Sequence, residues 1–181
     1  VMGHAQAMTG QAVGFLVIDR LQLPLADSQQ AIGIVLMIGA GAALLVQWGL
    51  IPLFNLEPRK MVVLGLAVAA VGSALTGTAS SLYGIATAYA IACVGFGFTR
   101  PAFTAGASLA VDRKLQGAVA GRVTSVNGAA FVLGPSIGVG LYEIWGPLPY
   151  YLSAVILVLL IFYVLARIKP LEPLGIPTRE R

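Results

Sequence analysis

Long stretches without charged side chains constrain this chain more than any other feature of its sequence. Residues 1–18, 28–56 and 61–99 contain no Asp, Glu, Lys or Arg. A helix needs roughly 20 apolar residues to cross about 30 Å of hydrocarbon, so stretches of this length are typical of membrane spans. The chain is 58% hydrophobic and 10% charged, with a mean hydropathy of +0.90. A soluble domain carries about 25% charged residues, so lipid is the expected solvent.

Charged residues and turn residues divide the chain into six predicted spans. The small polar cluster GTASS at 77–81 splits the third uncharged stretch, and WGPLP at 145–149 forms the last turn. We expect an all-α, polytopic membrane protein, with a six-helix transmembrane bundle over residues 1–168 and a cytoplasmic tail over 169–181. The predicted spans are about 1–18, 30–54, 61–78, 82–107, 119–142 and 148–166.

The distribution of basic residues predicts the orientation. Six alternating spans place ten of the eleven Lys and Arg residues on one side of the membrane and Arg20 alone on the other. Positive residues accumulate in cytoplasmic loops, so the C-terminus is expected in the cytoplasm. The basic residues are spread through short connections, which argues against nucleic acid as a partner. The chain opens on an apolar run without a charged leader or cleavage site, so we expect no signal peptide and a longer protein upstream of Val1.

Motifs for metal, cofactor or nucleotide chemistry are missing from the sequence. The single cysteine, Cys93, excludes an intramolecular disulfide and a cysteine-based metal cluster. There is no Walker A pattern, no H-E-x-x-H and no clustered His, Cys, Asp and Glu. We therefore expect no metal, no cofactor and no enzyme activity.

Three polar residues within the spans are candidates for a solute or proton path. His4 and Gln11 share a helix face at i and i+7, and Asn127 lies in the fifth span. Ionisable groups at membrane depth usually face a bundle interior or a water-filled cavity, and histidine exchanges a proton near neutral pH. Hydrogen bonds to neighbouring helices explain the same residues equally well.

Charged residues around the fourth connection are candidates for a cytoplasmic gate. Arg100 precedes Pro101 near the predicted cytoplasmic end of the fourth span. It either snorkels to the interface or pairs with Asp112 to brace the gate, with Arg113 beside it. The loop VDRKLQGAVAGR at 111–122 is otherwise an ordinary positive-inside connection.

The segment GPSIG at 134–138 admits two interpretations. The pattern G-x-S-x-G can mark a nucleophilic serine, but the one histidine lies four spans away in the sequence. Intramembrane serine proteases also place serine and histidine in a different order of spans. We therefore expect Gly134, Pro135 and Gly138 to shape a helix interface, with the Ser136 hydroxyl bonded to a nearby carbonyl. Small residues four apart, also found at Gly10/Gly14 and Gly117/Gly121, let helix backbones approach closely.

The order of these motifs resembles the C-terminal half of the major facilitator superfamily. A Pro-Ala after a glycine-rich span, a loop with Gln116–Gly117, G-P-x-x-G and a glycine-containing last turn are similar to spans 10 to 12. The segments GQAVGFLVIDRLQL and SQQAIGIVLMIGAGAALLVQ are similar to spans 7 and 8. The resemblance is strongest to the drug:proton antiporter branch, which includes tetracycline efflux proteins.

The resemblance implies one half of a twelve-helix fold and the transport of a small organic solute between the two halves. It implies a missing N-terminal six-helix half as partner, protons as the coupling ion, and a bacterial-type inner membrane. Two features depart from the family pattern: NLEPRK at 55–60 is an eroded charged loop motif, and spans two to six carry no acid at mid-depth. A non-transporting assembly or receptor bundle is the alternative, and an intramembrane serine protease is the remote one.

Overall fold

The computed structural model describes residues 1–54 and 57–167, which are helical apart from short connections and contain no strand. Six helices follow in chain order: α1 (Met2–Leu21), α2 (Leu25–Phe54), α3 (Pro58–Thr78), α4 (Leu82–Leu109), α5 (Arg113–Ile144) and α6 (Leu148–Arg167). The expected all-α class is confirmed. The predicted tail, 169–181, lies outside the described residues.

Local sequence signals set several helix ends. Pro58 occupies the first turn of α3, where a missing backbone N–H has no intrahelical partner to lose. Ser81 caps α4, because its hydroxyl oxygen accepts a hydrogen bond from the backbone N–H of Gly84 at 3.2 Å. α1 ends at Gln22, whose φ of 47° turns the chain into the left-handed region. The short connections that follow make sequential helices antiparallel.

Several helices extend beyond the predicted spans. α2 begins at Leu25 instead of residue 30, α5 begins at Arg113 instead of residue 119, and α4 continues to Leu109 instead of 107. The predicted bounds followed charge and apolar content. Charged side chains end an apolar span, but the backbone hydrogen bonds of a helix continue into the polar headgroup region.

α2 contains a wider helical turn near its C-terminal end. Residues Val46–Leu50 form a π-helical segment, in which the backbone N–H of Ile51 bonds to the carbonyl of Val46. Pro52 lies two residues beyond the segment and explains the irregularity, since a proline has no N–H and its ring crowds the carbonyl of Trp48, four residues earlier. Such single π turns often mark functional sites.

Five of the six helices in the described ranges, α2 to α6, are long and apolar enough to cross a membrane. α1 has sufficient length but is less apolar, since it carries His4, Gln6, Thr9 and Gln11. Nine of its 20 residues are buried by other helices. A helix shielded by its neighbours needs fewer apolar side chains than one that faces lipid.

The closest approach of two helices joins α3 to α4 through glycines. Gly72 faces the backbone of Ala92, and Gly95 faces the backbone of Ala69. A Cβ added to Gly65 would lie 2.7 Å from the carbonyl oxygen of Gly95. Lipid provides no hydrophobic drive for helix association, so close backbone packing of this kind holds the pair together.

The remaining helices surround this pair. α2 packs on α4, α6 packs on α3 and α1, and α5 packs on α1. The Ser153 hydroxyl of α6 donates to the carbonyl of Ala5 in α1 at 3.3 Å. α5 contacts α4 far less than it contacts α1, so a space opens between α4 and α5.

Candidate functional site

A polar cavity of about 630 Å³ lies between the C-terminal halves of α2 and α4 and the middle of α5. It is open on the side that no described helix covers. Its lining combines charged, amide, hydroxyl and aromatic groups from three helices: Gln47, Arg100, Pro101, Thr104, Thr124, Asn127, Gly128 and Phe131. The structure therefore brings together Asn127, predicted for the solute path, and Arg100, predicted for the gate.

Arg100 lies deeper in α4 than the sequence suggested. The helix runs nine residues past it to Leu109, which is about 14 Å at 1.5 Å per residue. The 28 residues of α4 span about 42 Å and exceed a hydrocarbon core of roughly 30 Å by about 12 Å. If both ends project equally, the Arg100 backbone lies about 8 Å inside the apolar layer. The predicted span ended at residue 107 and α4 ends at Leu109, so Arg100 lies nine residues from the helix end instead of seven.

Proline in a helix interior removes one backbone hydrogen bond and can bend the axis. In α4 the proline lies where the helix packs against α2. Pro101 has no N–H to donate to the carbonyl of Gly97. Gly97 in turn packs against Val46 in the π segment of α2, with 3.2 Å between a Cβ added to the glycine and the valine Cβ. Two prolines, Pro52 and Pro101, therefore place irregular backbone at the same wall of the cavity. Irregular backbone at membrane depth is tolerated where it lines a cavity.

The Arg100 guanidinium stacks on an aromatic ring and makes no ion pair within the described ranges. Its carbon atom Cζ lies 5.2 Å from the centre of the Phe131 ring. The predicted pairing with Asp112 is absent, since the one ion pair among the described residues joins Lys60 Nζ to Glu57 Oε2 at 3.3 Å. Arg100 points towards Phe131 of α5 across the cavity, whereas Asp112 precedes the first turn of that helix.

The hydroxyl groups of the cavity donate to their own helices. Thr104 Oγ1 donates to the carbonyl of Arg100 at 3.1 Å, and Thr124 Oγ1 donates to the carbonyl of Ala120 at 2.9 Å. Gln47 Nε2 reaches the carbonyl of Ala43 at 3.4 Å. The hydroxyl hydrogens are thus occupied, while the guanidinium and the Asn127 amide keep donors for a bound solute.

The two path candidates on α1 do not line this cavity. His4 is half-buried and Gln11 is exposed. Asn127 is adjacent to the same helix, because its Oδ1 would lie 3.2 Å from a Cβ added to Gly3. Sequence reasoning passed over Gln6, whose Oε1 is buried without a hydrogen-bond partner among the described residues. A glutamine one turn from the start of a membrane helix carried no distinguishing signal.

At the end of the bundle that carries the predicted gate residues, a different contact joins two helices. Asp112 and Arg113 are exposed at the start of α5. Arg59 Nη2 instead donates to the carbonyl of Leu165 at 3.2 Å, which ties the start of α3 to the end of α6. The described part of the eroded charged loop, 57–60, therefore connects helices within this bundle.

Gly134 and Gly138 both lie against α1. A Cβ added to Gly134 would collide with the Ala7 side chain, and one added to Gly138 would lie 2.7 Å from the Met8 carbonyl oxygen. Pro135 is half-buried beside them. Among the predicted small-residue pairs, Gly117/Gly121 meets nothing within 4 Å. The glycine face of GPSIG is thus a close helix contact.

Ser136 is exposed on a different face of α5. Two residues are about 200° of helical rotation, so a serine between two glycines that face α1 points away from that helix. The separation in sequence from His4 was misleading, since a Cβ added to Gly134 would lie 3.5 Å from the His4 carbonyl oxygen. Direction, and not distance, separates the serine from the histidine. The expected hydrogen bond from Ser136 to a carbonyl is absent from the described part of the chain.

Two further cavities are mainly apolar. One of about 310 Å³ lies beside Phe103 and Val62, and one of about 270 Å³ lies beside Met2, Leu66 and Tyr163. Within the described ranges, no group of three or more His, Cys, Asp and Glu residues is placed to hold a metal ion. The polar cavity beside Arg100 is the better candidate for solute recognition.

A family model of the Major Facilitator Superfamily matches residues 3–181 of the chain. The chain belongs to the major facilitator superfamily. No curated protein matched it. Major facilitator proteins are integral membrane transporters and not enzymes, so this chain is an integral membrane protein of the transporter type. Its six helices correspond to one half of a major-facilitator fold, as the sequence indicated.

Proposed function

We propose that this major facilitator protein is a proton-coupled exporter of a small organic solute, related to the drug:proton antiporter branch. The observation that supports this proposal most is the polar cavity at membrane depth, lined by α2, α4 and α5. Exposing the polar and charged side chains of this cavity to lipid would cost free energy, so we place them on a solute path. No covalent chemistry is required, because transport depends on differential binding to two conformations.

The proposed partner of this bundle is a second six-helix half that closes the other side of the path. In α2 and α5, 17% of the most apolar window is buried, against 50% in α3 and α4. Both helices expose large apolar residues, such as Met37 and Trp48 on α2 and Val126 and Val132 on α5. α5 also exposes a run of small and polar residues: Gly121, Thr124, Ser125 and Gly128. A facing helix bundle and a water-filled path suit that surface better than lipid does.

Alternating access would follow from rocking of the two halves around the cavity. The close contacts of α5 with α1, and of α3 with α4, are consistent with a half that moves as a unit. Asp112 and Arg113 are exposed at the cytoplasmic rim, where a closing half would meet them. The proposed location is a bacterial-type cytoplasmic membrane with the C-terminus in the cytoplasm.

Transport into inverted membrane vesicles containing the intact protein tests this proposal. Fluorescent organic solutes should accumulate when the vesicle interior is acidified, and accumulation should stop when a protonophore dissipates the proton gradient. Vesicles without the protein provide the baseline. If the intact protein moves no solute under any imposed gradient, the transporter proposal fails and a non-transporting assembly or receptor bundle takes its place.

A further inference from the structure

We infer that the cavity beside Arg100 binds the anionic group of an amphipathic organic acid, with the Arg100 guanidinium as counter-charge. This inference rests on the proposed function and narrows its substrate to a chemical class. An acid of this kind carries a carboxylate or sulfonate on an apolar, preferably aromatic, body.

The first support is the charge balance of the cavity. An arginine stays protonated in proteins, and a charge at membrane depth requires water or a partner. The acidic residues in the described ranges lie at or near helix ends, away from the cavity lining: Asp19, Asp27, Glu57, Asp112 and Glu143. Arg100 is the one charged residue among those that line the cavity. A solute that carries a negative group would therefore supply the missing charge.

The second support is the balance of hydrogen-bond donors. Arginine has five N–H donors in a planar fork that matches a carboxylate, and the Asn127 amide adds two more. The hydroxyl groups of Thr104 and Thr124 donate to backbone carbonyls, so towards a solute their oxygens can only accept hydrogen bonds. The free donors are concentrated at the arginine, where an anionic group can accept two parallel bonds. An ammonium group would find the same position repulsive.

The third support is the apolar part of the wall. Phe131 is 41% exposed and already stacks with the guanidinium, so its ring is available to an aromatic solute. A cavity of about 630 Å³ is far larger than a carboxylate and falls in the range of sites for small organic ligands. Size and lining together favour an acid with a substantial apolar body over a small inorganic anion.

Gly128 provides a way to block the cavity without disturbing the fold. A Cβ added to this glycine meets nothing within 4 Å, although the residue lines the cavity. Gly140 lies further along α5 and is equally open, but it does not line the cavity. Gly128→Leu and Gly140→Leu are therefore a matched pair, in which the same side chain is added inside and outside the site.

Equilibrium dialysis with the purified, full-length protein tests the inference. The probes share one aromatic body and differ in charge: 2-naphthoate, 2-naphthamide and 2-naphthylmethylammonium. We expect the dissociation constant of 2-naphthoate to be about ten-fold lower than that of 2-naphthamide, with the ammonium weakest. Arg100→Gln should reduce the preference for 2-naphthoate to within about two-fold, while Arg100→Lys retains part of it. Arg122→Gln, an exposed arginine outside the cavity, should leave the preference unchanged.

Gly128→Leu should weaken binding of 2-naphthoate by about five-fold or more, while Gly140→Leu should not. Equal or absent binding of 2-naphthoate relative to 2-naphthamide overturns the inference, as does a preference that survives Arg100→Gln. If an acidic side chain of the proposed second half paired with Arg100, 2-naphthoate would bind no better than 2-naphthamide.

Flux measurements on the same probes in proteoliposomes separate this inference from the proposed function. Selective binding of 2-naphthoate without flux under any proton gradient keeps the anion site and rejects transport of that class. Proton-dependent flux of 2-naphthylmethylammonium, with no binding or flux of 2-naphthoate, keeps the transporter and rejects the anion site.

Discussion

At the scale of single residues, the contrast between Gly138 and Gly140 shows how one glycine can be required and another free. Gly138 faces the Met8 backbone, which cannot move aside without displacing α1. Gly140 sits two residues further along α5 and meets nothing within 4 Å. Nothing in the sequence distinguishes these two glycines, and only their packing in the structure shows which one can accept a side chain.

We expect Gly138→Leu to destabilise the purified protein by about 2 kcal/mol or more, because its side chain would be forced against a helix backbone. For a protein of this size that corresponds to a fall in Tm of roughly 4 °C or more, measurable by thermal unfolding in detergent. Gly140→Leu is the matched control and should shift the Tm by less than about 1 °C.

Ser136→Ala should be nearly silent in both thermal unfolding and transport, because the hydroxyl is exposed and points away from α1. Loss of function in Ser136→Ala, together with an unaffected Gly138→Leu, would reverse the interpretation of GPSIG. Labelling of Ser136 by a fluorophosphonate probe would count against it in the same way.

Tyr142 links the C-terminal ends of α5 and α1 through its hydroxyl, which donates to Asp19 Oδ2 at 2.7 Å. Tyr142→Phe removes this one hydrogen bond and keeps the ring that packs against Phe15. We expect a loss of about 1 kcal/mol in stability, seen as a lower Tm. Tyr83→Phe is the control, since Tyr83 is 84% exposed, and it should be neutral. Equal effects of the two changes would show that the Tyr142 hydrogen bond contributes nothing.

At the scale of helices, the α3–α4 pair depends on small residues that the i, i+4 pattern did not single out. Gly65 and Gly72 are seven apart, and Gly95 comes from the facing helix. Gly95→Val should prevent this approach, because the added Cβ would overlap the backbone at Ala69. We expect little folded protein by size-exclusion chromatography, whereas Gly41→Val on α2, with open space around it, should behave like the unmodified chain.

The helices themselves were predictable from the sequence, but their partners were not. Charged residues and turn clusters delimit uncharged stretches, and a membrane leaves a stretch of that length few alternatives to a helix. Lipid does not rank one apolar helix face above another, so small-residue pairs indicate contact without naming the partner. The pair Gly134/Gly138 packs against α1, whereas no atom lies within 4 Å of a Cβ added at Gly117 or Gly121. The span that carries Arg100 was predicted to end at residue 107 and ends at Leu109, so its bounds were close, while the contact of Arg100 with Phe131 on α5 was not predicted.

At the scale of the whole molecule, the distribution of Lys and Arg residues predicts the orientation in the membrane. Even without Arg100, which lies nine residues inside α4, nine of the other ten Lys and Arg residues are on the predicted cytoplasmic side. The bias is still large. Reporter fusions at Lys60 and after Arg181 should score cytoplasmic, and a fusion at Ser80 should score external. An external score at Lys60 would invert the proposed orientation.

The solute cavity could be predicted only in part. Asn127 was singled out because an amide is unusual in the middle of a span, and it does line the cavity. Gln47 lies in the π segment before Pro52, and Thr104 lies beyond Pro101, so both depend on irregular helix geometry. His4 and Gln11 share a face of α1, yet α1 does not contribute to this cavity. The cavity arises where α5 separates from α4, which is a property of packing and not of any one helix.

Water access to single cysteines distinguishes a hydrated solute cavity from a surface that faces lipid. In a Cys93→Ser background, single cysteines replace Asn127 or Thr104 in the cavity, and Met37 or Val158 on exposed apolar faces. A membrane-impermeant maleimide is supplied on both sides of the membrane. We expect rapid labelling at positions 127 and 104 and little labelling at positions 37 and 158. Thiols react as thiolates, which form only where the cysteine is in contact with water. Labelling at position 127 no faster than at 158 would contradict this expectation.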